Sequence, residues 1–224
     1  STFTVGLLNG LNAFNNKMIS KRELAENAIN LEQNIIGEAV GSQDQTIASF
    51  GGFNLIKFNK NRNFEVQEIL ISQNRLQSLQ KNLILCFTGF PRTAKIIAEQ
   101  QIKSTPLKEI ELHKMNEITN EAKEIINNDK ISIDEFGKLL NEQWYLKRSL
   151  TKYISNRKID KIYNAAMSAG ALGGKLLGAG GGGFMLFYVK KKNQKKVLEK
   201  FKNKLIVPFR FERTGSQIIY ISND

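Results

Sequence analysis

Gly174-Lys175-Leu176-Leu177-Gly178-Ala179-Gly180-Gly181-Gly182-Gly183-Phe184 runs straight into the apolar stretch Met185 to Val189, so five glycines occupy the six positions 178–183 just ahead of a strand. Glycine admits positive φ and close approach, and it loses the most entropy on folding, so such a cluster is costly unless something must come near the backbone. Successive bare amides suit phosphate oxygens or a neighbouring phosphate-binding element. A flexible turn between a helix and a strand is the plain alternative. The spacing is not a Walker loop, which ends in Lys then Ser or Thr, and not a dinucleotide fingerprint, which follows a strand and opens a helix.

Working outward, Ile159 to Gly170 reads as a helix before the loop, and Gln194 to Lys204 as a helix after the strand. Phe209 to Ile221 reads as two strand segments broken at Thr214-Gly215. Upstream, apolar residues at helical spacing from the start through Phe14 give a first helix, and Ser20 with Glu23 three positions later gives the capping-box spacing of a second, reaching about Ile36. Gly51-Gly52 leads into the alternating Phe53 to Phe58, with Phe64 to Ile71 as its hairpin partner. Leu83 to Phe87 is a short buried strand, broken by Thr88-Gly89-Phe90-Pro91-Arg92 before a helix near Thr93. Helical periodicity then dominates, with Ser132 opening a helix that carries Phe136, Leu139, Leu140 and Trp144. Mixed helices and antiparallel-looking strands give an α+β chain of two parts, divided between Asn74 and Lys81.

The 224 residues are 41% hydrophobic and 24% charged, an ordinary globular composition. Apolar runs fall far short of the roughly 20 residues a membrane helix needs. No signal sequence opens the chain, and the single Cys86 has no internal disulfide partner, which points to a cytoplasmic compartment. The net charge of +12 raises nucleic acid or phosphorylated molecules as partners. The lysines are scattered or in short runs without interleaved aromatics, which argues against nucleic acid. One histidine, His113, leaves almost no material for a histidine triad or a multi-histidine metal site.

Asp44, in the polar segment Gly41-Ser42-Gln43-Asp44-Gln45, is the natural candidate base, or else a cap for a short helix over 45–49. Glu32, twelve positions upstream on a helix, is a second carboxylate available to a divalent cation or simply a solvated helix residue. Arg92, Lys147 and Arg148 are candidate phosphate ligands or solvated cations.

Three motifs occur in order: Gly41 to Gln45 with Phe50-Gly51-Gly52-Phe53-Asn54, Phe87-Thr88-Gly89 with Arg92, and the glycine loop with the preceding Gly170-Ala171. Together they resemble the GHMP kinase superfamily over essentially the whole chain, nearest its heptose 7-phosphate kinase branch. The resemblance implies a two-domain fold, with residues 1–76 the remainder of a ribosomal-protein-like N-terminal domain. Residues 77–224 would be a ferredoxin-like C-terminal domain with added helices. It implies transfer of the ATP γ-phosphoryl group to a sugar hydroxyl, with the anomeric hydroxyl of a heptose 7-phosphate as the expected acceptor. A galactose- or fucose-type acceptor, or a non-catalytic sugar-phosphate binder, is the alternative. By resemblance Asp44 is the catalytic carboxylate and Glu32 holds Mg2+. Ser1, Thr2 and Gly178, Ala179, Gly180, Gly181, Gly182 and Gly183 lie along the nucleotide phosphates. Gln43, Gln45, Gly51, Gly52, Arg92, Lys147 and Arg148 are expected on the substrate side. The family's first strands and its Gly-Leu-Gly-Ser-Ser nucleotide loop do not precede Ser1, so the chain reads as an N-terminally truncated member.

Overall fold

Apolar residues at helical spacing form α1 (Thr2–Phe14), and α2 (Lys21–Asn30) starts where the Ser20 hydroxyl accepts the Glu23 N–H at 3.1 Å. That bond satisfies an amide with no intrahelical acceptor. The computed structural model in which these elements are seen describes residues 1–61, 63–90 and 94–220. α2 runs into a π-helical turn, Leu31–Ile35, and α3 (Gln43–Phe50) follows after a short loop. The three helices meet at Val5, Leu24 and Ala28, with Leu8, Ile19 and Ala48 around them. Gly51, at φ 64°, ends α3 and turns the chain into β1 (Asn54–Phe58), which pairs antiparallel with β2 (Phe64–Glu68) in the register Asn54 to Glu68 and Phe58 to Phe64. The hairpin expected from the alternating residues is therefore present.

The chain divides into two compact units, Ser1–Ile69 with the segment that starts at Phe211, and Leu70–Arg210. In the first unit the C-terminal segment lies on the end of α3: Gly52 N–H donates to Glu212 O at 3.0 Å and Ser216 N–H to Ala48 O at 2.8 Å. Among the described residues it forms no strand, contrary to the two segments expected over 209–221. The Ser216 N–H goes to an α3 carbonyl and those of Arg213 and Thr214 to the Glu212 carboxylate, not to a ladder. The outer face of α1 carries Phe3, Leu7, Leu11 and Phe14 in solvent, an apolar stripe that continues to the fully exposed Met18.

In the second unit the Ser72 hydroxyl accepts the Arg75 N–H to open α4 (Gln73–Lys81), which leads into β3 (Leu83–Phe87). α5 (Ala94–Ser104), α6 (Glu109–Asn127), α7 (Asp134–Leu150) and α8 (Arg157–Ser168) follow. The chain closes with β4 (Gly173–Leu176), β5 (Phe184–Tyr188), α9 (Lys191–Lys200) and β6 (Ile206–Val207). The strands form one antiparallel sheet in the order β4-β5-β3-β6. With helices between β3 and β4 and one between β5 and β6, this is the ferredoxin-like arrangement with helices added. The core lies on one side of the sheet, where Leu176, Met185 and Phe187 meet Trp144, Ile159 and Tyr163. Cys86 faces that core, and burial pushes its thiol up to about 11, which keeps it protonated and inert.

Residues 174–176 do not belong to the loop, as the glycine run suggested, but to the edge strand β4, with Gly173 opposite Tyr188 and Leu176 opposite Met185. The connection is a hairpin between two strands. Glycine here serves packing: a Cβ on Gly173 would lie 2.1 Å from the Gly137 carbonyl of α7, and one on Gly174 would lie 2.4 Å from the Phe187 ring. A strand without side chains leaves no period-2 hydrophobic signal.

At the far end of β5, the Tyr188 hydroxyl donates to Asp134 Oδ1 at 2.9 Å and the Lys190 ammonium lies 2.5 Å from Oδ2. Burial acts to raise the Asp134 pKa, but the hydrogen bonds from Lys190 and Tyr188 outweigh it and hold the carboxyl below its usual range. A carboxyl with a depressed native pKa contributes stability above its unfolded value and loses that contribution as pH falls through the native value. The difference in urea midpoint between the wild type and Asp134→Asn should therefore be largest near neutrality. It should shrink on acidification below the unperturbed Asp value of about 3.9.

Candidate active site

The π turn that extends α2 sets two neighbouring side chains to work in opposite directions. Gln33 reaches across the following loop, donating to Val40 O at 2.9 Å and to the Ser42 hydroxyl at 3.1 Å. Glu32 turns inward and is 3% exposed. Its Oε2 accepts the Ser1 hydroxyl at 2.9 Å and the Gln45 carboxamide at 2.6 Å. Burial raises the Glu32 pKa, and the bonds from Thr4, the Ser1 hydroxyl and Gln45 act against this and hold the carboxylate below its ordinary range.

α3 brings Asp44 and Gln45 to the same place with opposite exposures. Ser42 occupies the N-cap position, and Gln43 and Asp44 sit exposed in the first turn. Asp44 is therefore inside the helix start and does not cap a helix over 45–49. Successive helix residues point about 100° apart, and Gln45, next after Asp44, is fully buried against Glu32. At the other end of α3, Gly51 and Gly52 border a cavity of about 280 Å³ with Lys21, Asn54, Glu68 and Arg213. The Lys21 ammonium donates to Phe50 O and Thr214 O there, at 2.8 and 3.1 Å.

The structure thus joins Ser1, Glu32 and Gln45, with Thr4 as a member that sequence reasoning missed. Thr4 lies one helical turn from Ser1, and that spacing was its only signal. Thr2 is exposed at the first position of α1. The oxygen donors of Glu32 and Ser1 suit a hard divalent cation such as Mg2+, which takes one or two carboxylates and completes its shell with water and phosphate oxygens. Among the described residues no group of three or more His, Cys, Asp or Glu is placed to hold a metal.

In the second unit the loop between β4 and β5 is pinned at several points. Leu177 N–H bonds Phe184 O at 2.9 Å, Gly181 N–H bonds Ile154 O at 2.9 Å, and Gly183 N–H bonds Phe90 O at 3.2 Å. Thr88 returns both its N–H and its hydroxyl to Gly183 O at 2.8 Å. Gly181, at φ 73°, has no room for a Cβ, which would lie 2.2 Å from Ile97 Cδ1. Among the described residues, no acceptor takes the N–H of Gly178, Ala179, Gly180 or Gly182. These four amides are the part of the glycine run left for an anion.

The basic candidates are placed differently from one another. Lys147, late in α7, donates to the carbonyls of Leu176 and Gly178 and so braces the loop. Arg148 pairs with Asp160 at 3.1 Å and lies over the Trp144 ring. Arg92 lies outside the described residues. No helix among the described residues is long and apolar enough to cross a membrane.

Known proteins resemble this chain over most of its length. The family model for the GHMP kinases N terminal domain matches residues 1–52, and that for the GHMP kinases C terminal matches residues 122–207. A D-glycero-alpha-D-manno-heptose 7-phosphate kinase of Campylobacter jejuni is 33% identical over 80% of this chain and 53% of its own length. A bifunctional fucokinase/GDP-fucose pyrophosphorylase of Arabidopsis thaliana is 28% identical over 80% of this chain and 17% of its own length. The crystal structure of a D-glycero-D-manno-heptose 1-phosphate kinase from Bacteriodes thetaiotaomicron superposes with a TM-score of 0.73 at 24% identity, covering 98% of this chain and 62% of that one. The chain spans about half or less of the length of these two curated relatives. With both family models on one chain, the ferredoxin-like sheet and the Asp-Gln turn beside a buried glutamate, this chain belongs to the GHMP kinases.

Proposed function

We propose that the protein transfers the γ-phosphoryl group of ATP to a sugar hydroxyl, and that the acceptor is a heptose 7-phosphate reacting at its anomeric hydroxyl. The observation that carries the reading is the first turn of α3, where Asp44 faces solvent while Gln45 is buried on the ionised Glu32. A relative at 33% identity that bears the heptose 7-phosphate kinase name supports the acceptor. The sugar oxygen attacks the γ-phosphorus, a new O–P bond forms, the bond from that phosphorus to the β–γ bridging oxygen breaks, and ADP leaves. Asp44 receives the hydroxyl proton or orients the hydroxyl for in-line attack.

Phosphoryl transfer has a loose transition state, so positioning and charge neutralisation supply most of the rate. Mg2+ bound with the nucleotide supplies charge neutralisation on the phosphate oxygens, and Glu32 with Ser1 would hold it. The four unpaired loop amides suit phosphate oxygens, and Lys147 keeps the loop in shape. Arg92 retains the role of holding the acceptor's existing phosphate, for which guanidinium geometry is bidentate.

The test is ATP consumption by the product of the whole reading frame, with heptose 7-phosphate, galactose and fucose as parallel acceptors. Turnover highest with the heptose phosphate is the expected result. Preference for galactose or fucose would reassign the acceptor, and no turnover with any sugar would overturn the kinase reading.

A further inference from the structure

Gln45 is an unusual residue to find fully buried. Its carboxamide has one acceptor and two donors, yet in this site its Oε1 is buried without a hydrogen-bond partner. An orphaned buried acceptor is destabilising, and an apolar side chain of the same length would avoid it. The amide cannot turn over to relieve this. A reversed carboxamide would set its oxygen 2.6 Å from the ionised Oε2 of Glu32, the position its nitrogen now occupies. What the residue contributes is therefore the single N–H···Oε2 bond. That bond ties together two short irregular pieces of chain, the π turn that carries Glu32 and the first turn of α3 that carries Asp44. Further down α3, the Ser49 hydroxyl donates to Gln45 O at 2.9 Å, which fastens the same residue from its backbone side.

We propose that Gln45 is a positioning residue that orients the Glu32 carboxylate toward the divalent cation and fixes the helical turn that presents Asp44, rather than a residue that touches the sugar. This rests on the reading of Glu32 as the metal-holding carboxylate. Partners that orient a metal-binding group characteristically change metal affinity when removed, by about 10- to 100-fold. Of the Glu32 oxygens, Oε2 would keep the Ser1 hydroxyl but lose its shortest bond. The carboxylate would then be held only by its Ser1 and Thr4 partners.

The experiment measures Mn2+ binding directly, by the loss of the free-ion electron paramagnetic resonance signal, on the whole-reading-frame protein with a non-hydrolysable ATP analogue. Gln45→Met should weaken Mn2+ binding by about 10- to 100-fold, while KM for the sugar acceptor changes little and the circular dichroism spectrum is retained. Should Gln45→Met fail to fold, the exchanged pair Glu32→Gln/Gln45→Glu decides the matter. It restores a carboxylate–carboxamide bond between the same two positions, so it should fold, yet it should lose Mn2+ binding because the carboxylate now starts from α3. Unchanged Mn2+ affinity in Gln45→Met, a rise confined to the sugar KM, or wild-type Mn2+ affinity in the exchanged pair would each overturn the proposal. Absence of Mn2+ binding by the wild type would instead remove the reading of Glu32 on which the proposal depends.

Discussion

Asp44→Asn is expected to lower kcat by about 10²-fold or more while leaving the fold and the nucleotide affinity close to wild type. The carboxamide is nearly isosteric with the carboxylate but accepts no proton, and loss of a positioned acid–base group costs this much. Asp44 is exposed in the first turn of α3. Its side chain is therefore not part of the packing that Gln45, Thr46 and Ser49 provide on the buried face of the same helix. That separation makes the substitution a clean one: circular dichroism and thermal unfolding should match wild type, and only steady-state turnover should change. Turnover within a few-fold of wild type would remove Asp44 from the chemistry.

Gly173→Ala is expected to cause a large loss of stability through a clash with helix backbone. The new Cβ would lie 2.1 Å from the Gly137 carbonyl oxygen and 2.7 Å from the Asn141 amide nitrogen, both backbone atoms of α7. Flexible side chains can turn away from an intruding methyl, whereas a helix backbone can yield only by moving the helix. Overpacking a core typically costs 1–3 kcal/mol, occasionally more, and a backbone clash belongs at or above the top of that range, about 3 kcal/mol. α7 carries Trp144 into the core and Lys147 onto the loop carbonyls, so its displacement would disturb the glycine loop as well. Urea unfolding of Gly173→Ala beside Gly41→Ala, where an added Cβ meets nothing within 4 Å, provides the measurement. A Gly173→Ala midpoint equal to wild type would contradict the close helix–strand approach.

Much of the fold was legible because its signals are local. Ser20 and Glu23 marked the start of α2, the alternating residues around Asn59 to Asn63 marked the hairpin, and Leu83 to Phe87 marked the central strand. β4 was hidden because Gly173 and Gly174 carry no side chain from which a strand period could be read. The segment after Phe209 misled for the opposite reason. Its β-branched and aromatic residues have strand propensity, but the Ser216 amide is taken by α3 and those of Arg213 and Thr214 by the Glu212 side chain. At the candidate site, Asp44 and Glu32 were legible as candidate carboxylates from their segments, but only the family resemblance set them above an ordinary cap and a solvated helix residue. The burial of Gln45 was not legible, because a polar residue between Asp44 and Thr46 has no apolar periodicity to place it inward. Nor were the tasks of Lys147 and Arg148, whose partners lie far along the chain at Gly178 and Asp160.

The most direct test of the account is to identify the product. The whole-reading-frame protein, incubated with ATP, Mg2+ and heptose 7-phosphate, should yield ADP and a sugar bisphosphate. The new phosphorus-31 resonance of that product should correlate with the anomeric proton. ADP formation without a new sugar ester, or an ester on any other carbon, would contradict the account.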